Sequence, residues 1–404
     1  MLSVHIKIPG QWRDLWLYKN KILLWDRLGH LSYLDVPVLG KYLSKRYGVG
    51  TTLLAQMLIF RNDWKVGEQS KLMLSVPEIE AAFLGLFHDR EHVDLEIPRS
   101  LFRQTGSEAY PGAVLDTCIY ANRLYLATAD GLLESYINPK HPDREYRLDR
   151  QLECRVAKLA VQYAAINAAA EDEGLFFGRV IFADERDGPG FWPSKFQRVA
   201  ERSLSVSHAS RNLLNYAGES APNFFRARVE STGASDESQY RVFESQKVIG
   251  YDPPSSIVGL VQSTLEGEAH KTANHYGEDE AQVIGNSGYH LLTTVGEKLR
   301  VLNIGAFDEE EIEMRHDRNF SVAERTSIAI SDVLETYSIS GGFIVELPDS
   351  VQLINKAGSY ELMKGSAARI RTFAHSLRHK ESVAIIEDDT ARLIGFHFSE
   401  EKLF

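Results

Sequence analysis

The densest run of metal-competent side chains is EAHKTANHYGEDE, residues 268–280, where His270 and His275 are followed by Glu278, Asp279 and Glu280. Imidazole nitrogens and carboxylates are donors that zinc and related ions accept, and an ion held by them activates water for hydrolase or lyase chemistry. The candidate ligands are therefore His270, His275 and Glu278. Two histidines four apart share a helix face and two apart share a strand face, but a spacing of five fits neither. A solvated acidic loop is the plainer reading of this segment.

Two further segments point to recognition. RIRTFAHSLRHK, residues 369–380, concentrates Arg371, Arg378 and His379, and arginine forks suit phosphates or acidic partners. Its plain alternative is strand alternation, with Ile370, Thr372 and Ala374 inside and Arg369, Arg371 and Phe373 outside. FADERDGPGFWPSKF, residues 182–196, is a loop by its glycine and proline content, and it carries Arg186, Phe191 and Trp192. Large aromatics beside charge are the residues on which protein interfaces concentrate their energy. A fourth segment, FDEEEIEMRHDRNF at 307–320, reads as a salt-bridging or partner-docking loop. No G-x-S-x-G elbow, phosphate-binding lysine loop, H-E-x-x-H or C-x-x-C pair occurs, which weighs against several enzyme classes without excluding catalysis by single residues gathered from many blades.

Bulk properties narrow the partners. The 404 residues include 45 basic and 56 acidic side chains, a net charge of −11 that disfavours general nucleic-acid binding. Two cysteines, Cys118 and Cys154, exclude a disulfide framework and fit a reducing, cytoplasmic setting. The first residues, MLSVHIKIPGQWRDLW, lack a secretory pattern, and no apolar run reaches the length of a membrane span. The chain reads as a complete cytoplasmic protein, and no cofactor is implied.

The elements that must position these residues show themselves as a repeated phrase. YKNKILLWDRLGHL (18–31) returns as YANRLYLATADGLL (120–133), 102 residues later. Each holds a short apolar run, a polar turn and an alternating segment, the pattern of a β-hairpin with one buried face. In the second copy the turn carries Asp130-Gly131, a strong hairpin signal. Gapless relatives of the phrase follow at LLTTVGEKLRVL (291–302), FIVELPDSVQLI (343–354), VAIIEDDTARLI (383–394) and IGYDPPSSIVGL (249–260), with looser ones at 168–180 and 213–229. Hairpins are expected to begin near 23, 125, 168, 213, 249, 291, 343 and 383, and six of the seven steps lie between 36 and 52 residues. The Ala-rich stretch RVAKLAVQYAAINAAAEDEG is read as strands because the period places a hairpin there, although alanine favours helix.

This period and hairpin pattern resemble those of β-propellers of the WD-repeat and kelch type, although the Trp-Asp and Gly-Gly signatures do not recur. The expected fold is all-β, a seven- or eight-bladed β-propeller spanning 1–404 as one domain. Residues 40–110 fill the long first step as an irregular, partly helical insertion, because TTLLAQMLIF and VPEIEAAFLGLF permit short amphipathic helices. After the last hairpin, which ends near Phe398, no outer strand remains, and the alternating LSVHIKIP at the N-terminus is expected to supply it.

The resemblance implies a non-catalytic interaction scaffold, or a sensor or regulatory subunit of a cytoplasmic assembly, with protein partners meeting Arg186, Phe191, Trp192, Arg371, Arg378 and His379. The alternatives are a propeller enzyme with a shallow metal site at the channel mouth, built from His270, His275 and Glu278, and a ligand or nucleic-acid sensor using 369–380.

Overall fold

Two consecutive residues in left-handed backbone recur at the start of the repeated phrase: Lys19-Asn20 (φ 46° and 59°), Ala121-Asn122 (49° and 63°) and Tyr163-Ala164 (50° and 59°). Positive φ at both central positions defines the type I′ turn, whose twist matches that of the strands it joins. The phrase therefore records two successive turns of one sheet, the first at Lys19-Asn20 or Ala121-Asn122 and the second after the strand that follows. At the second turn of the 120–133 copy Gly131 has φ 153°, and a Cβ there would lie 2.2 Å from the Leu152 carbonyl oxygen, so glycine is required.

The computed structural model describes residues 1–65, 72, 76–87, 92–138, 141–144, 147–180, 195–231, 246–272, 281–295, 298–305, 312–320, 328–376 and 378–398. Strand dominates, at 52% against 16% helix. Seven of the eight expected hairpins are present. Six form the second and third strands of four-stranded antiparallel sheets and the seventh those of a five-stranded sheet, so the chain has the arrangement of a seven-bladed β-propeller. The contacts divide it into two units: Met1–Thr105 with Asn319–Phe404 holds the first, sixth and seventh blades, and Gly106–Arg318 holds the second to fifth. The Ala-rich segment forms strands Lys158–Gln162 and Ala165–Ala169 as the period required, the second buried throughout.

The eighth hairpin, expected at 249–260, does not form. Strand Gln246–Tyr251 pairs instead with Ala227–Ser231 as a separate ribbon, and Ser255–Ser256 becomes the outer strand of the fourth blade against Asn223–Phe225. Pro253 and Pro254 offer no N–H to a partner strand and hold the chain extended where a tight turn was needed. A helix follows, Val258–Thr272, burying Val261 and Leu265 at helical spacing. It runs through residues 268–272, which were expected to be loop.

The seventh blade draws on both ends of the chain. Strands Arg369–Thr372, Ser382–Ile386 and Thr390–His397 are completed by Leu2–Pro9, paired antiparallel over its whole length from Leu2↔His397 to Pro9↔Thr390. Val4, Ile6 and Ile8 are wholly buried on one face of that strand. The expected N-terminal closure is present.

The insertion leaves the first blade after strand Leu31–Asp35 and returns to it at Arg103–Gln104. It comprises helices Val36–Tyr47, Val49–Ala55 and Pro77–Phe87, a π-helical turn at Gln56–Phe60, and strand His92–Glu96. That strand adds a fifth member to the seventh blade, parallel to Leu2–Pro9. Leu39, Leu43, Leu54, Leu58, Ile59 and Phe60 pack into the same core as Ile6 and Leu393. The approach is close: a Cβ on Gly395 would meet the Leu58 carbonyl oxygen at 2.3 Å. Asn62, 1% exposed, fastens the turn by accepting from the Glu381 N–H at 2.9 Å and donating to the Leu58 carbonyl at 2.6 Å.

Deleting residues 1–9 removes the outer strand of the seventh blade and the support of the insertion strand, so a large fall in melting temperature is expected. Ile6→Ala, which leaves the strand in place, should cost about 2–5 kcal/mol in denaturant titration. A truncated chain that melts within a degree or two of the full one contradicts this pairing.

Candidate functional site

The basic segment begins on strand Arg369–Thr372, and the structure corrects the alternation expected for it. Ile370 is buried as expected, but Phe373 is buried too and the Arg371 side chain is only 12% exposed. Its guanidinium turns to the first blade, where Nη2 donates to Asp14 Oδ2 at 2.7 Å and Nε to Oδ1 at 3.4 Å. The same group lies 4.9 Å over the Trp16 ring, and Trp16 in turn meets Phe373 edge-on. A fork spent on a carboxylate and stacked on indole is an inter-blade clamp. Asp14 also accepts from the Leu15 N–H at 2.9 Å, at a β-bulge in strand Trp12–Tyr18.

The counterpart of Asp14 in the repeated phrase is Asp116, four residues before Tyr120 as Asp14 is before Tyr18. Asp116 accepts from the Thr117 N–H at 2.8 Å and from the Leu159 N–H of the third blade at 2.9 Å. One carboxylate per phrase thus fixes a neighbouring blade, in one case through an arginine and in the other through a backbone amide.

Arg378 donates from Nη1 to Asn20 Oδ1 at 3.0 Å, at the tight turn of the first blade. His379 is buried, with Nδ1 3.3 Å from the Ile59 carbonyl oxygen and its ring edge-on to Phe373. The seventh blade thus brings Arg371, Arg378 and His379 onto one stretch of chain, each engaged within the protein. Arg186, Phe191 and Trp192 lie outside the described residues, as do His275 and Glu278. His270 falls within helix Val258–Thr272.

Another group was not found by inspection of the sequence. His5, on the N-terminal strand, lies opposite Asp94 of the insertion strand, and His92 lies opposite Ser3. His92 Nε2 is 3.1 Å from Asp94 Oδ2, its Nδ1 is 2.9 Å from Ser3 Oγ, and Lys7 Nζ is 3.1 Å from Asp94 Oδ1. Burial pushes the His5 imidazole down to about 3, helped by the neighbouring His92 and Arg392 charges. Burial works to raise the Asp94 carboxyl, but hydrogen bonds from Lys7 and His92 hold it below its usual range. The available signal was the alternation H-x-D in His92-Val93-Asp94. It carries no meaning until its strand partner is known.

The exposed apolar side chains are unevenly placed. Of ten large ones among the described residues, Val38, Val49, Leu53, Leu72, Val76 and Ile79 belong to the insertion, with Val49 at 73% and Leu72 at 74% exposure. No helix among the described residues is long and apolar enough to cross a membrane.

The buried histidine yields a pH dependence. Desolvation lowers the His379 imidazole to about 4, against weaker opposition from the Ile59 carbonyl and Asp63. Its folded value lies below the unfolded value of about 6.5, so the unfolded chain takes up the proton first and stability is lost as pH falls from about 6.5 to 4. His379→Gln should flatten that loss by about 2.5 kcal/mol, read as the difference between variant and parent in urea titrations at pH 7.5 and 4.5. Parallel curves for the two proteins would contradict it.

Comparison with known proteins extends this by architecture alone. No family model matches the chain, and no curated protein matches it in sequence. The WD40 domain of Neurospora crassa Pan2 aligns over 98% of this chain and 95% of its own at 7% identity, with a TM-score of 0.44. The WD40 β-propeller domain of Doa1 aligns over 96% and 94% at 8% identity, TM-score 0.41. The β-propeller domain of Cps50 (Swd1) from Myceliophteria thermophila aligns over 71% and 97% at 9% identity, TM-score 0.38. The chain is similar to WD40 propellers, and its six four-stranded sheets with the five-stranded seventh make it a seven-bladed β-propeller in their own right.

Proposed function

We propose that the protein is a non-catalytic interaction scaffold, or a sensor or regulatory subunit, within a larger cytoplasmic assembly, and that the helical insertion of the first blade is its main docking surface. The concentration of exposed apolar side chains on that insertion carries the reading: six of the ten among the described residues stand there. Large exposed apolar patches mark protein–protein or other interaction sites. The insertion is anchored rigidly enough to present such a surface, because its inner side shares a core with Ile6 and Leu393 and its turn is fixed by Asn62. The segment bearing Arg186, Phe191 and Trp192, outside the described residues, is a second contact in this proposal. The inward engagement of Arg371, Arg378 and His379 supports a structural part for them, holding the seventh blade to the first blade and the insertion.

The test separates docking from folding. Val49→Asp with Leu72→Asp places two charges on the exposed surface and should leave the melting temperature within about two degrees, since surface changes away from special features are near neutral. Affinity capture of the tagged chain from its own cells, quantified against the parent, should show the principal partner reduced at least tenfold, a loss of about 1.4 kcal/mol. Undiminished recovery with intact stability would remove the insertion as the docking surface.

A further inference from the structure

We propose that His5, His92 and Asp94 form a site for a divalent late first-row transition metal, with zinc the first to test, joining the insertion strand to the N-terminal strand. Strand periodicity carries the placement. Ser3, His5 and Lys7 lie on one face of Leu2–Pro9, and the parallel register sets His92 and Asp94 on the same face of His92–Glu96. One donor atom from each of the three residues lies within 4.8 Å of the others. Donors around an ion at about 2.1 Å stand roughly 3–4 Å apart, so closing the site requires only a small movement of side chains.

His5 gives the second, independent observation. It is 5% exposed, and its Nδ1 is buried without a hydrogen-bond partner among the described residues. Buried polar atoms of that kind are rare because losing water without gaining a partner is unfavourable. The residue opposite His5 on its other side is Ile394, which has no side-chain group to offer. A metal ion would compensate the buried imidazole, which the neighbouring side chains do not.

The surrounding contacts are those of an outer ligand shell. Ser3 Oγ, at 2.9 Å from His92 Nδ1, fixes the orientation of that ring, and Lys7 Nζ at 3.1 Å holds Asp94 Oδ1 while Oδ2 faces His92. Such partners orient ligands and tune the metal. Two imidazoles with one carboxylate suit zinc, cobalt or nickel, whereas magnesium and calcium favour oxygen throughout. Three protein donors leave a coordination position open to water or to a donor from outside the chain. The ion would fasten the strand through which the insertion returns, so its first effect is on the order of residues 92–96.

The experiment uses the full chain without a histidine tag, stripped by chelator and dialysed into metal-free buffer. Zinc titration by calorimetry should show one ion per chain, and cobalt should give visible d–d absorption that zinc abolishes. His92→Ala and Asp94→Asn alter half-exposed side chains, so circular dichroism should stay unchanged while zinc affinity falls at least about tenfold. His275→Ala should leave the affinity as it is. Amide exchange at 92–96 should slow in the parent when zinc is added. Absence of saturable zinc binding, equal affinity in His92→Ala, or loss of binding in His275→Ala instead would each overturn the proposal.

Discussion

The pairing between the first eight-residue strand and the last one is the constraint on which the seventh blade depends. Three C-terminal strands end at Thr390–His397, whose outer edge would otherwise present a row of unpaired N–H and C=O groups. Such an edge is an invitation to aggregation, and covering it is a general requirement of β architecture. Leu2–Pro9 covers it over its full length, and its own free edge is covered in turn by His92–Glu96. Both ends of the chain must therefore be made before this sheet is whole. Contacts of such long sequence separation are slow to form, since chain entropy is lost before they are gained.

Much else in that unit follows from the same sheet. The insertion has a core to join only because Val4, Ile6 and Ile8 present an apolar face beside Leu393. Asn62 and Ser382 then satisfy the backbone of the π-helical turn, with Ser382 Oγ donating to the Ile59 carbonyl at 2.7 Å. The Arg371–Asp14 pair ties the seventh blade to the first. Breaking such a pair from one side leaves a poorly solvated charge, which typically costs about 3–5 kcal/mol, so the pair is better understood as fixing register than as adding stability. The other face of the N-terminal strand carries His5 and faces a polar group, so a single strand serves closure, insertion anchoring and the candidate metal centre.

Local chemistry was legible in the sequence and non-local chemistry was not. Seven hairpins could be read because each is written within about a dozen residues, by apolar alternation and by turn residues such as Asp130-Gly131. The Ala-rich third blade could be read only through the period, because its composition alone favours helix. The segment 249–260 has a hairpin's composition, but its two prolines forbid the pairing that a hairpin needs. Arg371 looked outward by alternation because its partner Asp14 is 357 positions away. His92 and Asp94 gave no warning for the same reason: a parallel partner strand is not marked in either sequence segment. The helical character of 40–110 was readable, but its docking onto the seventh blade was not.

Hydrogen–deuterium exchange resolved along the chain tests strand closure most directly. If Leu2–Pro9 is an integral strand of the seventh blade, its amides should be protected to the same degree as those of Thr390–His397 and should exchange with them as one cooperative unit. Fast exchange at residues 2–9, of the kind shown by a fraying terminus, while 390–397 stay protected, would contradict the account.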